Sequence, residues 1–137
     1  MGELVGQCLK GGEVIELVSD LGGGKTAFVR GLAKGMGSTD PVSSPTFTIS
    51  KVYKAPDLEL HHFDFYRLQE AGLLQHELTD LLNDPKIIVV IEWAGIVEQA
   101  LPDKRLSVHF ARDANDENLR ILTFEADESL GYLLEKL

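Results

Sequence analysis

The sequence has little that would place it in a membrane or in an oxidising compartment. Cys8 is its one cysteine, so no disulfide can form within the chain. It has no apolar run of about 18 residues, and no basic segment leads into a short apolar stretch with a cleavage site. Gly6 stands where a myristoylation signal that uses Gly2 requires Ser or Thr. We therefore expect a soluble, cytoplasmic protein with no lipid anchor and no membrane partner.

Basic residues are also few, because 13 Lys and Arg stand against 22 Asp and Glu, for a formal net charge of -9. Binding to the phosphates of a nucleic acid depends on clustered Lys and Arg, and the sequence contains no such cluster. If RNA is involved, we expect a partner to hold it. The 137 residues, 44% hydrophobic and 26% charged, are typical of one globular domain, here residues 1–137.

The stretch SDLGGGKT, residues 19–26, lies between a strand pattern and a helix pattern. Before it, a short β-branched run at 14–18 predicts a buried strand. After it, apolar residues recur at a spacing of four from Lys25 onward and predict a helix that Gly35 and Gly37 end. Strand, glycine-rich loop and helix follow in the order that a phosphate-binding loop requires.

The rest of the chain alternates between strand and helix patterns. Residues 46–53 and 58–65 alternate apolar and polar side chains, and the continuous apolar run KIIVVI at 86–91 is typical of a strand covered on both faces. This order predicts the α/β class, with a mixed central sheet flanked by helices. The other predicted elements are a helix over 70–84, a short helix from Ala94, a hairpin formed by 105–112 and 118–124, and a closing helix over 127–137 capped by Asp127 or Ser129.

The glycines of the loop allow positive φ angles and a close approach of the backbone, so several N–H groups can bind phosphate oxygens. Lys25 would reach the terminal phosphates, and the Thr26 hydroxyl would bind magnesium. Ser19 departs from the pattern G-x-x-x-x-G-K-[ST], and the alternative is a glycine-rich turn with a solvated lysine. The flanking strand and helix favour a nucleotide site. Its predicted phosphate-binding residues are Leu21, Gly22, Gly23, Gly24, Lys25 and Thr26.

A phosphate loop also needs a carboxylate at the end of a neighbouring strand, because hard oxygen ligands hold magnesium on a triphosphate. Glu92 follows the apolar run at 86–91 and is the first candidate, with a solvated strand end as the alternative. Trp93, the one tryptophan, comes next. The alternative to a role in the site is a structural position in the core or at its rim, which is more common for tryptophan.

Asp64 is the second candidate carboxylate. The period of two along a strand places it on one face with Leu58, Leu60 and His62. A carboxylate on an inward face must be paired, hydrogen-bonded or bound to a metal, which favours a position near magnesium. The alternative is an ion pair with Arg67.

Two other polar motifs are weaker. His61 and His62 are adjacent on a predicted strand and would point to opposite faces, and no cysteine cluster accompanies them, so zinc is not favoured. Thr46, at the end of SSPT, is positioned either to place a hydroxyl near a γ-phosphate, as switch loops do, or simply to enter a strand.

The stretches DLGGGKT, SSPTFTI, HHFDFYRL, VIEW and LPD, in this order and approximate spacing, resemble the TsaE (YjeE) family of bacterial ATPases. The resemblance covers about Leu4 to Phe124. It implies a P-loop NTPase-like domain that acts with the partners TsaD and TsaB to make threonylcarbamoyladenosine next to the anticodon of tRNA. The positions that match the family's phosphate, magnesium, acidic and aromatic residues are Lys25, Thr26, Asp64, Glu92 and Trp93.

Residues and resemblance together predict an enzyme that binds ATP and Mg²⁺ and hydrolyses ATP slowly alone and faster with its partners. The candidate catalytic residues are Lys25, which would neutralise developing charge, Asp64, which would support the metal or position water, and Glu92. Thr26, Glu92 and Asp64 are the candidate metal ligands. Arg120 is a further candidate for nucleotide contact from the hairpin. The N-terminal segment is expected to be short for the family, so the adenine contacts are not assigned.

Two other functions stay open at this point. A small-molecule kinase shares the phosphate loop, but such enzymes need a cationic lid, and the five Arg of this sequence form no cluster. The second alternative is a regulatory module that binds nucleotide without turnover.

Overall fold

The computed structural model describes residues 1–19, 24–45, 49–70 and 72–137. Helices and strands alternate along most of this length. The elements are α1 (Gly2–Gly6), β1 (Val14–Val18), α2 (Lys25–Gly35), β2 (Ser50–Lys54), β3 (Glu59–Asp64), α3 (Leu74–Leu82), β4 (Ile87–Glu92), a first 3₁₀ helix (Ala94–Ala100), β5 (Leu106–Arg112), β6 (Arg120–Ala126) and a second 3₁₀ helix (Glu128–Leu134).

The strands form one six-stranded sheet in the order β2-β3-β4-β1-β5-β6. The four inner strands, β3, β4, β1 and β5, are parallel, whereas β2 and β6 pair antiparallel at the two edges. The predicted α/β class with a mixed sheet is confirmed, as is the predicted hairpin, which is β5 and β6. The carboxyl ends of the four parallel strands lie along one side of the sheet, which we call the carboxyl edge.

Helices cover both faces of the inner strands. All six residues of β4 are buried, as the continuous apolar run predicts. On one face, α1, α2 and the second 3₁₀ helix pack on the sheet through residues such as Val5, Leu32 and Leu133. On the other face, α3 and the first 3₁₀ helix do so through Leu78 and Val97. This double cover fixes the inner strands and therefore the positions of their carboxyl ends.

Helix α1 packs backbone to backbone on α2, and the sequence analysis did not predict this helix. Each of the two helices carries two glycines spaced by four residues on the shared surface, Gly2 and Gly6 on α1 and Gly31 and Gly35 on α2. A Cβ atom at Gly35 would lie 2.2 Å from the carbonyl oxygen of Glu3, and one at Gly6 would lie 2.4 Å from that of Leu32. Only residues without a side chain permit this approach.

The buried carboxylate of Glu13 links the segment before β1 to the second 3₁₀ helix near the carboxyl terminus. Glu13 is 3% exposed and accepts hydrogen bonds from the backbone N–H groups of Lys10 and Gly11. Its Oε1 also accepts from the Tyr132 hydroxyl at 2.8 Å, which attaches the second 3₁₀ helix to the start of β1. Burial, together with the hydrogen bond to Glu13, raises the pKa of the Tyr132 hydroxyl well above its ordinary value of 10.0.

Two helix predictions need correction. The helix predicted over 70–84 forms only over Leu74–Leu82, because Gly72 has a positive φ of 49° and Pro85 disfavours helical backbone at the residue before it. The closing helix predicted over 127–137 forms as a 3₁₀ helix over Glu128–Leu134. The Asp127 cap is confirmed, since its carboxylate accepts from the backbone N–H of Ser129 at 3.0 Å.

Within the described ranges, no helix has both the length and the apolar character needed to cross a membrane.

Candidate functional site

The glycine-rich segment connects the carboxyl end of β1 to the first turn of α2. Gly24 is the N-cap of α2 and has a φ of 93°, a left-handed conformation that residues with a Cβ rarely adopt. Lys25 and Thr26 are the first two residues of the helix, and Thr26 is half-buried. The predicted contacts of Leu21, Gly22 and Gly23 with phosphates lie outside the described residues and stay predictions. So does the predicted switch role of Thr46.

Lys25 points into the carboxyl edge and not into solvent. Its residue is 7% exposed, and its ammonium donates to the carbonyl oxygen of Ser19 at 3.2 Å. Nζ also lies 3.5 Å from Glu92 Oε1 and 5.3 Å from the centre of the Trp93 ring, within the range of a cation–π contact. The alternative of a solvated lysine is therefore wrong. The position where the pattern expects glycine, Ser19, contributes a backbone acceptor for this lysine.

Glu92 is the last residue of β4 and is 4% exposed, so the alternative of a solvated strand end is also wrong. Its two carboxylate oxygens have different partners. Oε1 lies near the Lys25 ammonium, and Oε2 lies 2.9 Å from His62 Nε2. Because β4 lies between β3 and β1, its last residue is within reach of His62 on β3 and of Lys25 at the start of α2, the helix that follows β1.

His62 is the site residue whose role the sequence analysis missed. It is 0% exposed, and within the described part of the chain its Nδ1 has no hydrogen-bond partner. His61, the next residue, is half-buried and bonds Glu59 instead. The period of two did place His62 on the face of Asp64, but the partner of the imidazole becomes visible only when the pairing of β3 with β4 is known.

Asp64 ends β3 directly beside Glu92, since the two residues are Cα partners in the parallel ladder. Asp64 is half-buried, and its Oδ1 accepts from the backbone N–H of Tyr66 at 3.0 Å. Its hydrogen bond is thus local, and the described residues show no ion pair between Asp64 and Arg67. The structure brings the two predicted carboxylate residues to adjacent strand ends, as expected for residues that serve one site.

Trp93 forms the rim of the site. Its φ of 58° is the one positive value among the described residues other than glycine, and it turns the chain from β4 into the first 3₁₀ helix. The ring is 38% exposed and packs against Tyr66, with ring centres 4.9 Å apart. Trp93 therefore combines the rim position that is common for tryptophan with a contact to Lys25.

Arg120 lies farther away. It is the first residue of β6 and is exposed at the carboxyl edge, but β5 separates it from β1. Its guanidinium donates to the carbonyl oxygens of Glu117 and Leu119. Arg112 is its Cα partner across the hairpin, so the fold brings two arginines together that are separate in sequence. Contact between Arg120 and a nucleotide stays a prediction.

The carboxyl edge presents some groups that favour binding of an anion and others that favour binding of a cation. The start of α2 presents backbone N–H groups and the Lys25 ammonium, which favour an anion. The ends of β3 and β4 present the carboxylates of Asp64 and Glu92, and Thr26 adds a hydroxyl. Carboxylate and hydroxyl oxygens are the ligands that Mg²⁺ prefers. The donor set therefore fits a phosphate group together with a magnesium ion.

A doubly covered mixed sheet, with a glycine-rich sequence between the central strand β1 and a helix that begins with Lys25 and Thr26, defines a P-loop NTPase-like fold. The chain belongs to the TsaE family, because its residues 1–121 match the family described as threonylcarbamoyl adenosine biosynthesis protein TsaE. The predicted family resemblance is thus confirmed.

Curated relatives support the same assignment. The chain is 39% identical to a tRNA threonylcarbamoyladenosine biosynthesis protein TsaE of Bacillus subtilis, over 92% of this chain and 77% of the relative. It is 38% identical to the protein of that name from Treponema pallidum, over 85% of this chain and 87% of the relative. Among solved structures, it is similar to Bacillus subtilis YdiB, with a TM-score of 0.75, 32% identity and coverage of 98% of this chain and 82% of that one.

Proposed function

We propose that the chain binds ATP with Mg²⁺ and hydrolyses it, and that this hydrolysis supports a complex of TsaD and TsaB in the threonylcarbamoyladenosine modification of tRNA. The observation that carries the proposal is the buried Lys25 ammonium at the start of α2, 3.5 Å from the Glu92 carboxylate at the end of β4. A lysine and a carboxylate in these two positions are the parts that a P-loop site uses for triphosphate and metal.

The phosphate side of the proposed site is supported by α2. The N–H groups of its first turn, which have no acceptor within the helix, and the positive end of its dipole favour negative charge. Gly24, in its left-handed conformation, presents no side chain between these donors and a ligand, and among the described residues a Cβ there would meet no atom within 4 Å. Lys25 adds a positive charge that bulk water does not screen, because the residue is 7% exposed. Its role is to neutralise charge that develops on the phosphates.

The metal side is supported by the two carboxylate residues at adjacent strand ends. A bound Mg²⁺ would supply positive charge that neutralises part of the charge on a triphosphate. Glu92 and the Thr26 hydroxyl are proposed to hold this ion, and Asp64 to support it or to orient the attacking water. Trp93 covers one side of Lys25 with its ring and limits the access of solvent there.

Slow hydrolysis by the isolated chain, and dependence on partners, follow from what surrounds this site. Rapid phosphoryl transfer needs cationic groups that compensate charge in the transition state. Lys25 is the cation that the described residues place against Glu92, whereas Arg112 and Arg120 lie across β5 and β6. A net charge of -9 opposes binding to a polyanion such as tRNA, so partners are proposed to hold the RNA.

The test is ATP binding by calorimetry and phosphate release, measured for Lys25→Met and for the matched control Lys34→Met. Lys34 lies on the same helix but is exposed and pairs with Glu3 at 3.2 Å. We expect Lys25→Met to weaken ATP binding or turnover by about 100-fold, since one preorganised charge at the phosphates is lost. Lys34→Met should match the wild type. Equal ATP affinity and turnover in all three proteins would contradict the proposal.

Adding a TsaD-TsaB complex to the same assay distinguishes the proposed ATPase from the two alternatives, a small-molecule kinase and a regulatory module. Stimulated phosphate release, with weak tRNA binding by the isolated chain in a filter assay, is the expected result. Transfer of labelled phosphate to a small acceptor would indicate a kinase. Nucleotide binding without single-turnover hydrolysis, with or without partners, would indicate a regulatory module.

A further inference from the structure

We propose that His62 is a positioning residue that holds Glu92 by its Oε2 atom, so that Oε1 stays directed at Lys25 and available to the metal ion. The inference rests on the Mg²⁺-dependent ATPase function proposed above. It assigns a role to the buried histidine of β3, a residue outside the predicted catalytic, phosphate-binding and metal-binding sets.

The geometry of the sheet determines which atoms meet. The Cα partner of His62 is Val90, two residues before Glu92, so the imidazole reaches along the sheet toward the strand ends to meet the carboxylate. The distance from Nε2 to Oε2 is 2.9 Å. Because an ionised carboxylate only accepts hydrogen bonds, Nε2 must carry the hydrogen and donate it. His62 Nδ1 has no partner in the part of the chain that the structure describes, so the bond to Glu92 is its one polar contact there.

Burial makes this bond effective as a constraint. His62 is 0% exposed and Glu92 is 4% exposed, so bulk water does not replace the histidine as a donor. The backbone of His62 is fixed by the pairing of β3 on both sides, with β2 and with β4, and its side chain is fully buried. A glutamate side chain has three rotatable bonds, and one oxygen held by a rigid donor removes most of that freedom.

The constraint matters because Lys25 and the proposed magnesium ion share one carboxylate. Without His62, the Glu92 carboxylate would be free to rotate and offer both oxygens to the Lys25 ammonium. That closer pairing would compete with phosphate for Lys25 and with magnesium for Glu92. With Oε2 held, Oε1 alone faces Lys25, at 3.5 Å, which is longer than a direct charge-assisted hydrogen bond. The pair therefore remains open to exchange with a ligand.

The test compares His62→Leu and His62→Gln with the wild type and with the control His61→Leu. A glutamine side chain reaches far enough to replace the Nε2 donor, whereas leucine keeps an apolar side chain of moderate size and removes the donor. His61 is on the same strand but bonds Glu59, so its replacement leaves Glu92 untouched. The first readout is the Mg²⁺ concentration at half-saturation in the presence of ADP. This concentration is measured from the fluorescence of Trp93, the one tryptophan, whose ring lies 5.3 Å from Lys25 Nζ.

We expect His62→Leu to raise the half-saturating Mg²⁺ concentration by about 10- to 100-fold, as the loss of a group that orients a metal ligand does elsewhere. His62→Gln should restore most of the loss, and His61→Leu should give the wild-type curve. ATP turnover, the second readout, should follow the same order. Curves for His62→Leu that match those of His61→Leu would overturn the inference.

A second pair of variants covers the case in which His62→Leu does not fold. His62→Gln and His62→Asn are both polar, but asparagine is one methylene shorter and falls short of Glu92. A half-saturating Mg²⁺ concentration that is higher for His62→Asn than for His62→Gln supports the positioning role of His62. Equal Mg²⁺ binding curves for the two variants overturn it. If instead the wild type binds Mg²⁺ and ADP but releases no phosphate from ATP under any condition, the proposed ATPase function fails while the positioning of Glu92 is still decided by the binding curves.

Discussion

Replacing Gly35 by alanine should destabilise the protein, although alanine is the better helix former. In an isolated helix, the exchange of glycine for alanine favours the helix by up to about 1 kcal/mol. In this fold, the new Cβ would lie 2.2 Å from the carbonyl oxygen of Glu3 and 2.8 Å from the backbone nitrogen of Gln7. Both neighbours are backbone atoms, so the clash cannot be relieved by a side-chain rotation, and α1 must move away from α2.

The expected loss follows from what α1 and the segment directly after it bury. Val5 is 0% exposed and Leu9 is 8% exposed, and both belong to the core on this face of the sheet. Insertion of a methyl group into a packed interface costs about 1–3 kcal/mol, and contacts as short as 2.2 Å to backbone atoms place this substitution near the upper end of that range. After the gain in helix propensity is subtracted, a net loss of about 2 kcal/mol remains, and the melting temperature should fall by about 4–8 °C.

The control is Gly131→Ala in the second 3₁₀ helix, where an added Cβ meets no atom within 4 Å in the part of the chain that the structure describes. This variant should be as stable as the wild type or more stable by up to about 1 kcal/mol, because alanine lowers the entropy of the unfolded chain. The assay is urea unfolding combined with hydrogen exchange of the α1 amides. A Gly35→Ala protein that is as stable as Gly131→Ala, with unchanged exchange in α1, would refute the close approach of the two helices.

Three further perturbations test other parts of the structure. Glu92→Gln keeps the shape of the side chain and removes its charge, so nucleotide binding should persist while Mg²⁺-dependent phosphate release falls by at least about 10-fold; unchanged turnover across a Mg²⁺ titration would place Glu92 outside the site. ATP should be preferred over GTP, because the sequence lacks the N-K-x-D stretch that reads guanine in GTPases; competition binding won by GTP would reverse this prediction. Tyr132→Phe should lower the free energy of unfolding by about 1 kcal/mol at neutral pH, since Glu13 loses one donor. The raised pKa of the Tyr132 hydroxyl has a second effect, because above about pH 10 the unfolded tyrosine ionises first and wild-type stability falls as pH rises. Chemical unfolding between pH 7 and pH 11 measures both effects, and a wild type and variant with parallel pH profiles would contradict the second.

The strand before the glycine-rich segment and the helix after it could be predicted because local patterns determine them. The β-branched run of β1, the helical spacing of α2 and the continuous apolar run of β4 each lie within one element, and the parallel sheet follows from their order. The same patterns led to Asp64 and Glu92, which the structure places side by side.

The contacts that the sequence analysis missed depend on residues far apart in the chain. His62 and Glu92 are 30 residues apart, and they meet only because β3 and β4 pair in one register. The α1 helix has five residues and is set by its packing on α2, not by its own periodicity. Its glycines, Gly2 and Gly6, have the same spacing as Gly31 and Gly35, and this match gains its meaning only from the contact between the two helices.

The position of β1 at the centre of the sheet has a consequence for how the chain folds during its synthesis. Both neighbours of β1, β4 and β5, come from the second half of the sequence, and β5 ends only at Arg112. A ribosome that adds about 5–20 residues per second therefore leaves β1 without a partner for on the order of ten seconds. During this time its β-branched segment is available to chaperones or to other nascent chains. Translation rate between β1 and β5 should accordingly affect the yield of folded protein more than translation rate after β6.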